Sequence, residues 1–367
     1  MRSSELDVLM FIPSLEGGGA ERVMVELASA FVGRGATVEL AVAGGGAGAY
    51  DAEVPDAVRV VAFGRPRVLA AVPDLVRHLR RRRPRALLST LEHANVAAVW
   101  ASRWAPGVRC VVREANTVSA DLGDGLSARA LLFAMRGAYR RAAAVVAVSG
   151  GVGRSVREAL GVPAERVHVI PNPSVTPRVW AGAREPVDHP WFAGGQPPVV
   201  LAVGRLAPQK DYPTLLRAFA ALRGRRPVRL VVLGEGPERD ALERLAGELG
   251  VADDVSFHGF VANPFAFMAR ADAFVLSSAW EGLPNALIQA RALGVSVVAT
   301  DCPSGPREIL DGGELGDLVA VGDAEAMATA LDAALERGPQ PAPPAWVARY
   351  DPIGVAERYL AVLGVDR

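Results

Sequence analysis

The sequence predicts an α/β protein built from two doubly wound domains, and three features of the chain indicate this fold class. Short apolar segments alternate with amphipathic segments along the chain. The apolar segments are continuous, which is typical of parallel strands that are buried on both faces. The alternation occurs once before and once after a proline-rich stretch at residues 171–198. A chain of 367 residues also exceeds what one hydrophobic core usually serves.

In the first half, short apolar and β-branched runs predict strands, and segments with helical periodicity predict the helices between them. The predicted strands are Leu6–Ile12, Val38–Ala43, Val58–Ala62, Ala86–Leu91, Arg109–Arg113 and Ala144–Val148. The predicted helices are Arg22–Val32, Val68–Arg81, Asn95–Trp104 and Arg129–Arg140.

The second half repeats the same alternation after the proline-rich stretch. The predicted strands are Val199–Val203, Leu230–Leu233, Val255–Phe257, Ala273–Leu276, Val295–Ala299 and Asp317–Val321. The predicted helices are Pro213–Leu222, Glu238–Leu249, Pro264–Ala269, Pro284–Ala292 and Ala324–Leu335. We therefore expect domains at residues 1–174 and 175–345, followed at 346–367 by a C-terminal helix of the kind that in two-lobed folds often packs back on the first lobe.

Composition indicates a soluble globular protein of the reducing cytosol. Half of the residues are apolar and 22% are charged. The apolar run at the start is interrupted by Asp7 and is too short for a signal peptide or a membrane span. Cys110 and Cys302 are far apart and lack ligand spacing, so we expect neither a disulfide framework nor a metal site.

The charge is unevenly distributed although the net charge is zero. Residues 1–174 carry 22 Arg against 16 Asp and Glu, whereas residues 175–367 carry 18 Lys and Arg against 24. Part of the basic excess lies in Arg80–Arg83 and Arg85, at the end of an amphipathic segment. This run fits a solvated helix end, and it also fits contact with an anionic membrane surface or an acceptor phosphate.

A glycine-rich segment, Gly17-Gly18-Gly19-Ala20-Glu21-Arg22, separates the first predicted strand from its helix. Glycines let backbone amides approach a ligand, and the start of a helix attracts anions. The dinucleotide fingerprint would need glycine where Arg22 stands, which disfavours a nicotinamide or flavin site. The segment therefore predicts a phosphate or sugar loop, and a plain tight turn is the alternative.

A second segment, Gly204-Arg205-Leu206-Ala207-Pro208-Gln209-Lys210-Asp211, follows the first strand of the second half. Arg205 and Lys210 are two cations that could bind one diphosphate, the first as a fork and the second as a point charge. Lys210 is the only lysine among 40 basic residues. The simpler alternative is a solvated loop that binds no ligand. The presence of the only lysine in this segment favours a functional role for the loop.

A third segment runs from Ser277 to Ala290 and reads SSAWEGLPNALIQA. A strand here runs into a glycine turn, and Pro284 is suited to the first turn of a helix. Amides near Gly282 and Leu283 would then form an anion site, with Glu281 at its lip and Gln289 further along the helix. Helix capping alone is the alternative.

These segments resemble the retaining GT-B glycosyltransferases of glycosyltransferase family 4, the glycosyl transferases group 1. Residues 281–289 resemble the E-x7-E signature, and residues 204–211 resemble a G-R-L-x-x-x-K-D element. Leu233-Gly234-Glu235-Gly236-Pro237, Ile170-Pro171-Asn172-Pro173 and the segment Val297–Leu310 agree with this family. The resemblance implies two Rossmann-like domains that face each other across a cleft.

The resemblance also implies roles for individual residues. Arg205 and Lys210 would bind the donor diphosphate and stabilise the leaving phosphate, and Glu281 would bind a sugar hydroxyl and share in catalysis. The remaining expected donor contacts are Gly18, Gly19, Gly204, Gly234, Gly282, Leu283 and Gln289. Gln289 departs from the family, which has a second glutamate there, so a charged hydrogen bond to ribose becomes a neutral one.

Three residues of the first half are expected acceptor or sugar contacts. His93 follows the strand Ala86–Leu91, and the segment Arg113-Glu114-Ala115-Asn116 follows the next strand. A structural histidine and an ion pair between Arg113 and Glu114 are the alternatives.

The expected activity is retaining transfer of a hexose or N-acetylhexosamine from a nucleotide-diphosphate sugar, a uridine diphosphate sugar above all. The acceptor would be a glycan, a polyprenyl-linked glycan or a small molecule, at the inner face of the membrane or in the cytoplasm. No cofactor, metal or nucleic acid is expected. A nucleotide-sugar epimerase of the same fold and a non-catalytic glycosyltransferase-like partner are the alternatives.

Overall fold

The computed structural model describes residues 6–16, 18–45, 48, 50–118 and 125–365. Its contacts divide the chain into two compact units. The first unit is Met1–Pro173 together with Arg349–Arg367, and the second is Ser174–Ala348.

The first unit is a parallel sheet with helices between successive strands. Its strands are β1 (Val8–Ile12), β2 (Val38–Val42), β3 (Arg59–Ala62), β4 (Ala86–Thr90), β5 (Arg109–Glu114), β6 (Ala144–Ala147) and β7 (Val167–Val169). The helices between these strands are α1 (Gly19–Gly33), α2 (Val72–Arg82), α3 (Glu92–Ser102), α4 (Leu126–Tyr139) and α5 (Gly150–Leu160). The strand order is β3-β2-β1-β4-β5-β6-β7. Every residue of β1, β2 and β4 is buried, as expected for a sheet covered on both faces.

The second unit repeats this architecture. Its strands are β8 (Val199–Val203), β9 (Arg229–Leu233), β10 (Val255–Gly259), β11 (Ala273–Leu276), β12 (Ser296–Thr300) and β13 (Asp317–Val319). Its helices are α6 (Pro177–Ala183), α7 (Tyr212–Arg223), α8 (Arg239–Glu248), α9 (Pro264–Met268), α10 (Asn285–Ala292), α11 (Pro306–Ile309), α12 (Ala324–Arg337) and α13 (Pro344–Ala348). The parallel strands have the order β10-β9-β8-β11-β12-β13.

The last helix, α14 (Pro352–Leu363), belongs to the first unit and packs on α1. Asp351 caps it by accepting hydrogen bonds from the amides of Ile353 and Gly354, both at 3.0 Å. The Tyr359 ring lies 6.2 Å from the Phe31 ring of α1, and both side chains are buried in one core with β1 and β2. The helix therefore completes the core of the first unit.

The described residues contain five strands and α-helices that the sequence did not predict, namely β7, α5, α6, α11 and α13. Helix α6 lies within residues 171–198, whose proline content predicted a linker. It packs on α9 inside the second unit. The predicted helix Val68–Arg81 is divided into a 3-10 turn at Val68–Ala71 and α2. Within the described residues, no helix has both the length and the apolar character needed to cross a bilayer.

Candidate functional site

The second sheet has its topological switch point between β8 and β11. The chain after β8 turns towards β9, whereas β11 begins the other half of the sheet. Open α/β sheets bind ligands beyond the carboxyl ends of their strands at such a point. The segments that follow these two strands are residues 204–211 and 277–284, which are the second segment singled out in the sequence and the first part of the third.

The turn after β8 depends on a close approach of two backbone segments. Gly204 donates its amide hydrogen to the carbonyl of Leu233 at 2.9 Å. Gly234 has a φ of +143°, and a Cβ atom there would lie 2.0 Å from the carbonyl oxygen of Gly204. Only glycine fits this position, because any side chain would meet the neighbouring backbone. Gly204 and Gly234 therefore shape the turn that presents residues 205–211.

Several hydrogen bonds tie the segment after β8 to the segment after β11. Ser277 donates its hydroxyl hydrogen to the carbonyl of Lys210 at 2.6 Å. The amide of Ala279 donates to the carbonyl of Gln209 at 2.8 Å, and the Gln209 side chain donates to the carbonyl of Trp280 at 3.0 Å. These bonds fix the relative position of the two segments.

Lys210 and Glu281 meet where the two segments join. The Lys210 ammonium donates a hydrogen bond to Oε1 of Glu281, and the Ser278 hydroxyl donates to the same oxygen at 2.6 Å. Ser278 and Glu281 are buried, while Lys210 is partly accessible. The resemblance assigned Lys210 to a diphosphate and Glu281 to a sugar hydroxyl; in the structure the two side chains bond to each other.

Tyr212 is a neighbour of this pair that the sequence analysis missed. Its hydroxyl donates to the carbonyl of Gly204 at 3.0 Å, and its side chain is buried. Burial raises the pKa of Tyr212, and the negative charge of Glu281 raises it further. The tyrosine therefore stays neutral and supports the turn after β8. The sequence offered one signal for Tyr212, namely its position directly after Lys210 and Asp211.

Arg205 differs from Lys210 in having no partner among the described residues. Its side chain is exposed, and it forms neither a hydrogen bond nor an ion pair with any other described residue. A guanidinium group in this state is available to an anionic ligand without first breaking an internal contact.

The start of α10 differs by one residue from the prediction. Pro284 occupies the N-cap position with a ψ of +103°, and the helix begins at Asn285. Gly282 and Leu283 are buried just before it, and the Ser304 hydroxyl donates to the carbonyl of Gly282 at 3.0 Å. The predicted arrangement of a glycine turn leading into a helix is present, with Pro284 as its cap.

Gln289 lies on α10 and is held by the chain at the start of the second unit. Its amide nitrogen donates to the carbonyl of Ser174 at 3.3 Å. The Ser174 hydroxyl donates in turn to Oδ1 of Asn285 at 2.8 Å. A glutamate at position 289 would have no hydrogen to donate to that carbonyl unless it were protonated. The amide therefore suits the local structure of this chain.

The glycine segment of the first unit lies at the start of α1. Gly18 is the N-cap of this helix and Gly19 its first residue, while Gly17 lies outside the described residues. A Cβ atom at Gly18 would lie 2.1 Å from a carboxylate oxygen of Glu21. Burial raises the pKa of Glu21, opposed by a hydrogen bond to its own amide and by the charge of Arg113. The carboxylate of Glu21 therefore lies against the helix start that the sequence assigned to a ligand.

His93 is exposed in the first turn of α3, beyond the carboxyl end of β4. Leu91, between β4 and α3, has a φ of +73°. This region is costly for a residue with a side chain and is found more often at functional sites than elsewhere. The exposed ring is accessible to a ligand, and the role of His93 as an acceptor or sugar contact stays a prediction.

Arg113 is buried at the end of β5 and has partners of its own. It donates to the Thr90 hydroxyl at 2.9 Å and to the side-chain oxygen of Asn172 at 2.6 Å. It makes no ion pair with Glu114, because successive residues of a strand point to opposite faces. The alternative of an Arg113–Glu114 ion pair is therefore wrong.

Glu114 belongs to a buried network on the other face of the sheet. The Tyr139 hydroxyl donates to Oε2 of Glu114 at 2.5 Å and accepts from the Asn95 amide nitrogen at 2.8 Å. Ser89 donates to Oδ1 of Asn95 at 2.7 Å. Burial raises the pKa of Glu114 to about 8; Glu92 adds to the rise, while hydrogen bonds from Tyr139 and the amides of Asn116 and Ala115 oppose it.

No group of three or more His, Cys, Asp or Glu side chains in the described ranges has the arrangement of a metal site. Cys110 and Cys302 are both buried free thiols.

Comparison with known proteins gives the same assignment for both halves of the chain. Residues 18–173 match the family profile described as "Glycosyl transferase 4-like domain", and residues 197–337 match "Glycosyl transferases group 1". The chain is 38% identical over 194 residues to the lipopolysaccharide core biosynthesis glycosyltransferase LpsE of Rhizobium meliloti, covering 53% of this chain and 54% of that protein.

A second relative is the N-acetylgalactosamine-N,N'-diacetylbacillosaminyl-diphospho-undecaprenol 4-alpha-N-acetylgalactosaminyltransferase of Campylobacter jejuni. It is 39% identical over 137 residues, which are 37% of each chain. The chain therefore spans about half the length of LpsE and less of the Campylobacter enzyme. Among solved structures, HepE of Anabaena in complex with UDP and glucose superposes with a TM-score of 0.72 at 21% identity, over 98% of this chain and 97% of that one.

The fold and the two matched segments define the class: this is a protein with the GT-B fold and the domains of glycosyltransferases. The prediction of two Rossmann-like, doubly wound domains is confirmed. The predicted kinship with GT-B glycosyltransferases is also confirmed.

Proposed function

We propose that the protein is a retaining glycosyltransferase of family 4. It transfers a hexose or N-acetylhexosamine from a nucleotide-diphosphate sugar to a hydroxyl of a glycan, a lipid-linked glycan or a small molecule. The second domain binds the donor and the first binds the acceptor. The observation that carries the proposal is the contact of Lys210 with Glu281 at the switch point of the second sheet. Arg205, five positions earlier in the same segment, is exposed and has no partner among the described residues.

The donor diphosphate engages Arg205 and Lys210. Departure of the nucleoside diphosphate increases negative charge on the leaving phosphate, and fixed cations stabilise that charge best where little water competes. Lys210 is already oriented by Glu281, so the site loses little freedom when the ligand arrives. The diphosphate replaces the carboxylate as the partner of Lys210, and this exchange releases Glu281 to accept a hydrogen bond from a sugar hydroxyl.

The remaining donor contacts come from backbone and amide groups. Gly204 and Gly234 shape the turn beside the diphosphate, and the amides of Gly282 and Leu283 lie at the start of α10, where a helix favours an anion. Gln289 binds the nucleoside ribose through its neutral amide. We retain Gly18 and Gly19 as further donor contacts.

In the first domain, His93 contacts the acceptor or the sugar, since it is exposed beyond β4. Arg113 and Glu114 are buried, so we now assign them to positioning the carboxyl ends of β4 and β5. Arg113 does this through Thr90 and Asn172, and Glu114 through Tyr139.

Similar proteins support the proposed donor and acceptor classes. HepE was solved with UDP and glucose, so a uridine diphosphate sugar is the proposed donor. The Campylobacter relative is named for a diphospho-undecaprenol-linked substrate, and LpsE is named for lipopolysaccharide core biosynthesis. A lipid-linked glycan at the cytoplasmic face of the membrane is therefore the proposed acceptor.

The first prediction concerns Lys210. Calorimetry of the purified protein should detect binding of UDP, and a donor panel with mass spectrometry of the products should detect sugar transfer. Replacing Lys210 with Ala should lower kcat/KM by about 100-fold or more, because a cation aimed at the leaving phosphate is lost. Arg217→Ala is the matched control, since Arg217 is exposed on α7 of the same domain.

Removing Lys210 leaves the buried Glu281 without its cation, so stability is measured alongside. The double variant Lys210→Met/Glu281→Gln removes both charges, and thermal unfolding shows whether it folds. A folded Lys210 variant with wild-type kcat/KM would contradict the proposal. Sugar isomerisation without an acceptor would identify an epimerase, and UDP binding with neither transfer nor donor hydrolysis would identify a non-catalytic partner.

A further inference from the structure

The carboxylate of Glu281 receives its hydrogen bonds on one oxygen only. The Lys210 ammonium and the Ser278 hydroxyl both donate to Oε1, and no described residue donates to Oε2. The residue is only 6% exposed. A largely buried carboxylate with one unbonded oxygen is costly, so this oxygen suits a ligand group that can donate a hydrogen.

Lys210 and Ser278 differ in how long they can hold this carboxylate. Lys210 is partly accessible and carries its charge on a flexible four-carbon stem. In the proposed function its ammonium turns to the donor diphosphate. Ser278 is fully buried, lies three positions before Glu281 and has a short side chain. Once the diphosphate engages Lys210, the Ser278 hydroxyl is the donor that still holds Oε1.

The position of Ser278 is itself fixed by β12. Thr300, the last residue of this strand, donates its hydroxyl hydrogen to the carbonyl of Ser278 at 2.5 Å. Both residues are fully buried. Thr300 belongs to the segment Val297–Leu310, to which the sequence analysis gave no role. Strand β12 therefore holds the backbone of Ser278, and the hydroxyl of Ser278 holds the carboxylate.

The two adjacent serines after β11 have different partners. The Ser277 hydroxyl donates to the carbonyl of Lys210 at 2.6 Å, whereas the Ser278 hydroxyl donates to the carboxylate of Glu281 at the same distance. Ser277 thus joins two backbone segments, and Ser278 orients a side chain of the site.

We propose that Ser278 is a positioning residue for recognition of the donor sugar. Its bond to Oε1 keeps the Glu281 carboxylate in one orientation while Lys210 exchanges that carboxylate for the diphosphate. Oε2 then accepts a hydrogen bond from a hydroxyl of the donor sugar. A group that contacts substrate keeps its geometry through bonds from fixed neighbours, and small misplacements lower the rate strongly. The inference rests on the proposed function, because it adds a residue to the same donor site.

The test begins with Ser278→Ala and the uridine diphosphate sugar that the donor panel identifies. Its kcat/KM should fall about 30-fold, as expected for loss of one hydrogen bond to a charged group. The Kd of UDP, measured by calorimetry, should change by less than about threefold, because UDP carries the diphosphate and no sugar. A general distortion of the site would weaken UDP binding as well.

Monodeoxy analogues of the same donor supply a second readout. A site that hydrogen-bonds a hydroxyl rejects the analogue that lacks it. Glu281→Ala identifies the hydroxyl concerned, because its deletion then carries no further penalty. Against that analogue, Ser278→Ala should discriminate about tenfold less than the wild type does. Equal discrimination by the two proteins would contradict the inference.

A double variant tests whether Ser278 acts through Glu281. In Glu281→Ala the serine has no carboxylate to orient, so adding Ser278→Ala should lower kcat/KM by less than about threefold. Single-turnover assays with radiolabelled donor make these slow variants measurable. A further loss of about 30-fold would show that Ser278 acts independently of Glu281 and would overturn the inference.

Ser296→Ala is the matched control. Ser296 begins β12 at the opposite end from Thr300, is buried, and donates its hydroxyl hydrogen to the carbonyl of Gly338. The variant loses a buried hydrogen bond in the same domain but away from the site, so it should keep the wild-type kcat/KM. Thermal unfolding shows whether Ser278→Ala and Ser296→Ala lose similar stability.

The outcomes separate this inference from the proposed function. Wild-type protein that transfers sugar, together with a Ser278→Ala variant of unchanged kcat/KM, would refute the role of Ser278 and leave the proposed transferase standing. Wild-type protein that neither binds UDP nor turns over any donor would refute the transferase and this inference with it. Equal loss of kcat/KM in Ser278→Ala and Ser296→Ala would assign Ser278 to stability alone.

Discussion

Glu114 shows how a single residue can depart from what its sequence position indicates. Its position at the end of β5 predicted a contact with acceptor or sugar, yet its side chain is buried and bonded to Tyr139. Its pKa is raised from 4.5 to about 8, chiefly by burial. At neutral pH the folded protein therefore holds a proton that the unfolded chain has released.

This proton predicts a pH dependence of stability. The unfolded carboxyl releases its proton near pH 4.5 and the folded one near pH 8, so the contribution is fully present below pH 4.5 and is lost as the pH rises to about 8. Glu114→Gln removes this titration. The urea midpoint of the wild type should fall more steeply than that of the variant between about pH 5.5 and about pH 8. Identical pH dependence of the two proteins would contradict the assignment.

At the scale of elements, most of the sheet could be predicted from the sequence. The bounds of β8 and β11 agree with the prediction, because each is a continuous apolar run with a sharp end. Helix α5 was missed because three of its first four residues are glycines, which have low helix propensity. Its signals were Ser149, which caps it, and Gly161, which ends it in the left-handed conformation.

The candidate site could be predicted only in part. Sequence patterns placed Lys210 and Glu281 after two strands. The two residues are 71 positions apart, and their contact depends on the pairing of β8 with β11. The burial of Arg113 and Glu114 could not be predicted, because it depends on later elements: α14 packs on β5, and Tyr139 of α4 bonds to Glu114. Periodicity identifies which face of an element is apolar but not which polar groups a later element covers.

Helix α14 carries the prediction at this scale. Asp351 satisfies two amides at its start, and N-cap aspartate replacement typically costs about 1 kcal/mol. Asp351→Ala should therefore lower the free energy of unfolding of the first domain by about 1 kcal/mol. Glu357→Ala on the same helix is the control: its ion pair with Arg34 is exposed, so the change should stay below about 0.5 kcal/mol. Equal effects in urea titrations would show that the cap contributes nothing of its own.

At the scale of the whole molecule, the two domains have separate hydrophobic cores. One core contains Phe31 and Tyr359, and the other contains Phe219 and Leu331. Each core is formed only by residues of its own domain. Domains of this kind can unfold as independent cooperative units.

Calorimetric unfolding should therefore resolve two transitions. Tyr359→Ala should lower the free energy of unfolding of the first domain, and Phe219→Ala should lower that of the second. Each change should be about 3–5 kcal/mol, as for other buried aromatic side chains. UDP at 100 times its Kd should stabilise the second domain, whose transition Phe219→Ala lowers, by about 2.7 kcal/mol. It should stabilise the first domain less, because Gly18 and Gly19 are its only proposed donor contacts. If UDP raised the transition sensitive to Tyr359→Ala more than the other, the main donor site would lie in the first domain.

The first domain is discontinuous in the chain, and this affects its synthesis. Its core lacks α14 until residues 174–348 have left the ribosome. At about 5–20 residues per second, this interval lasts about 9–35 seconds. During that time Tyr359 is absent, so the side of α1 that carries Phe31 is not covered. The sequence of the second domain is also complete before that of the first. A nascent chain that has emerged from the ribosome as far as residue 348 should thus hold one finished domain downstream of an unfinished one, the reverse of the usual order.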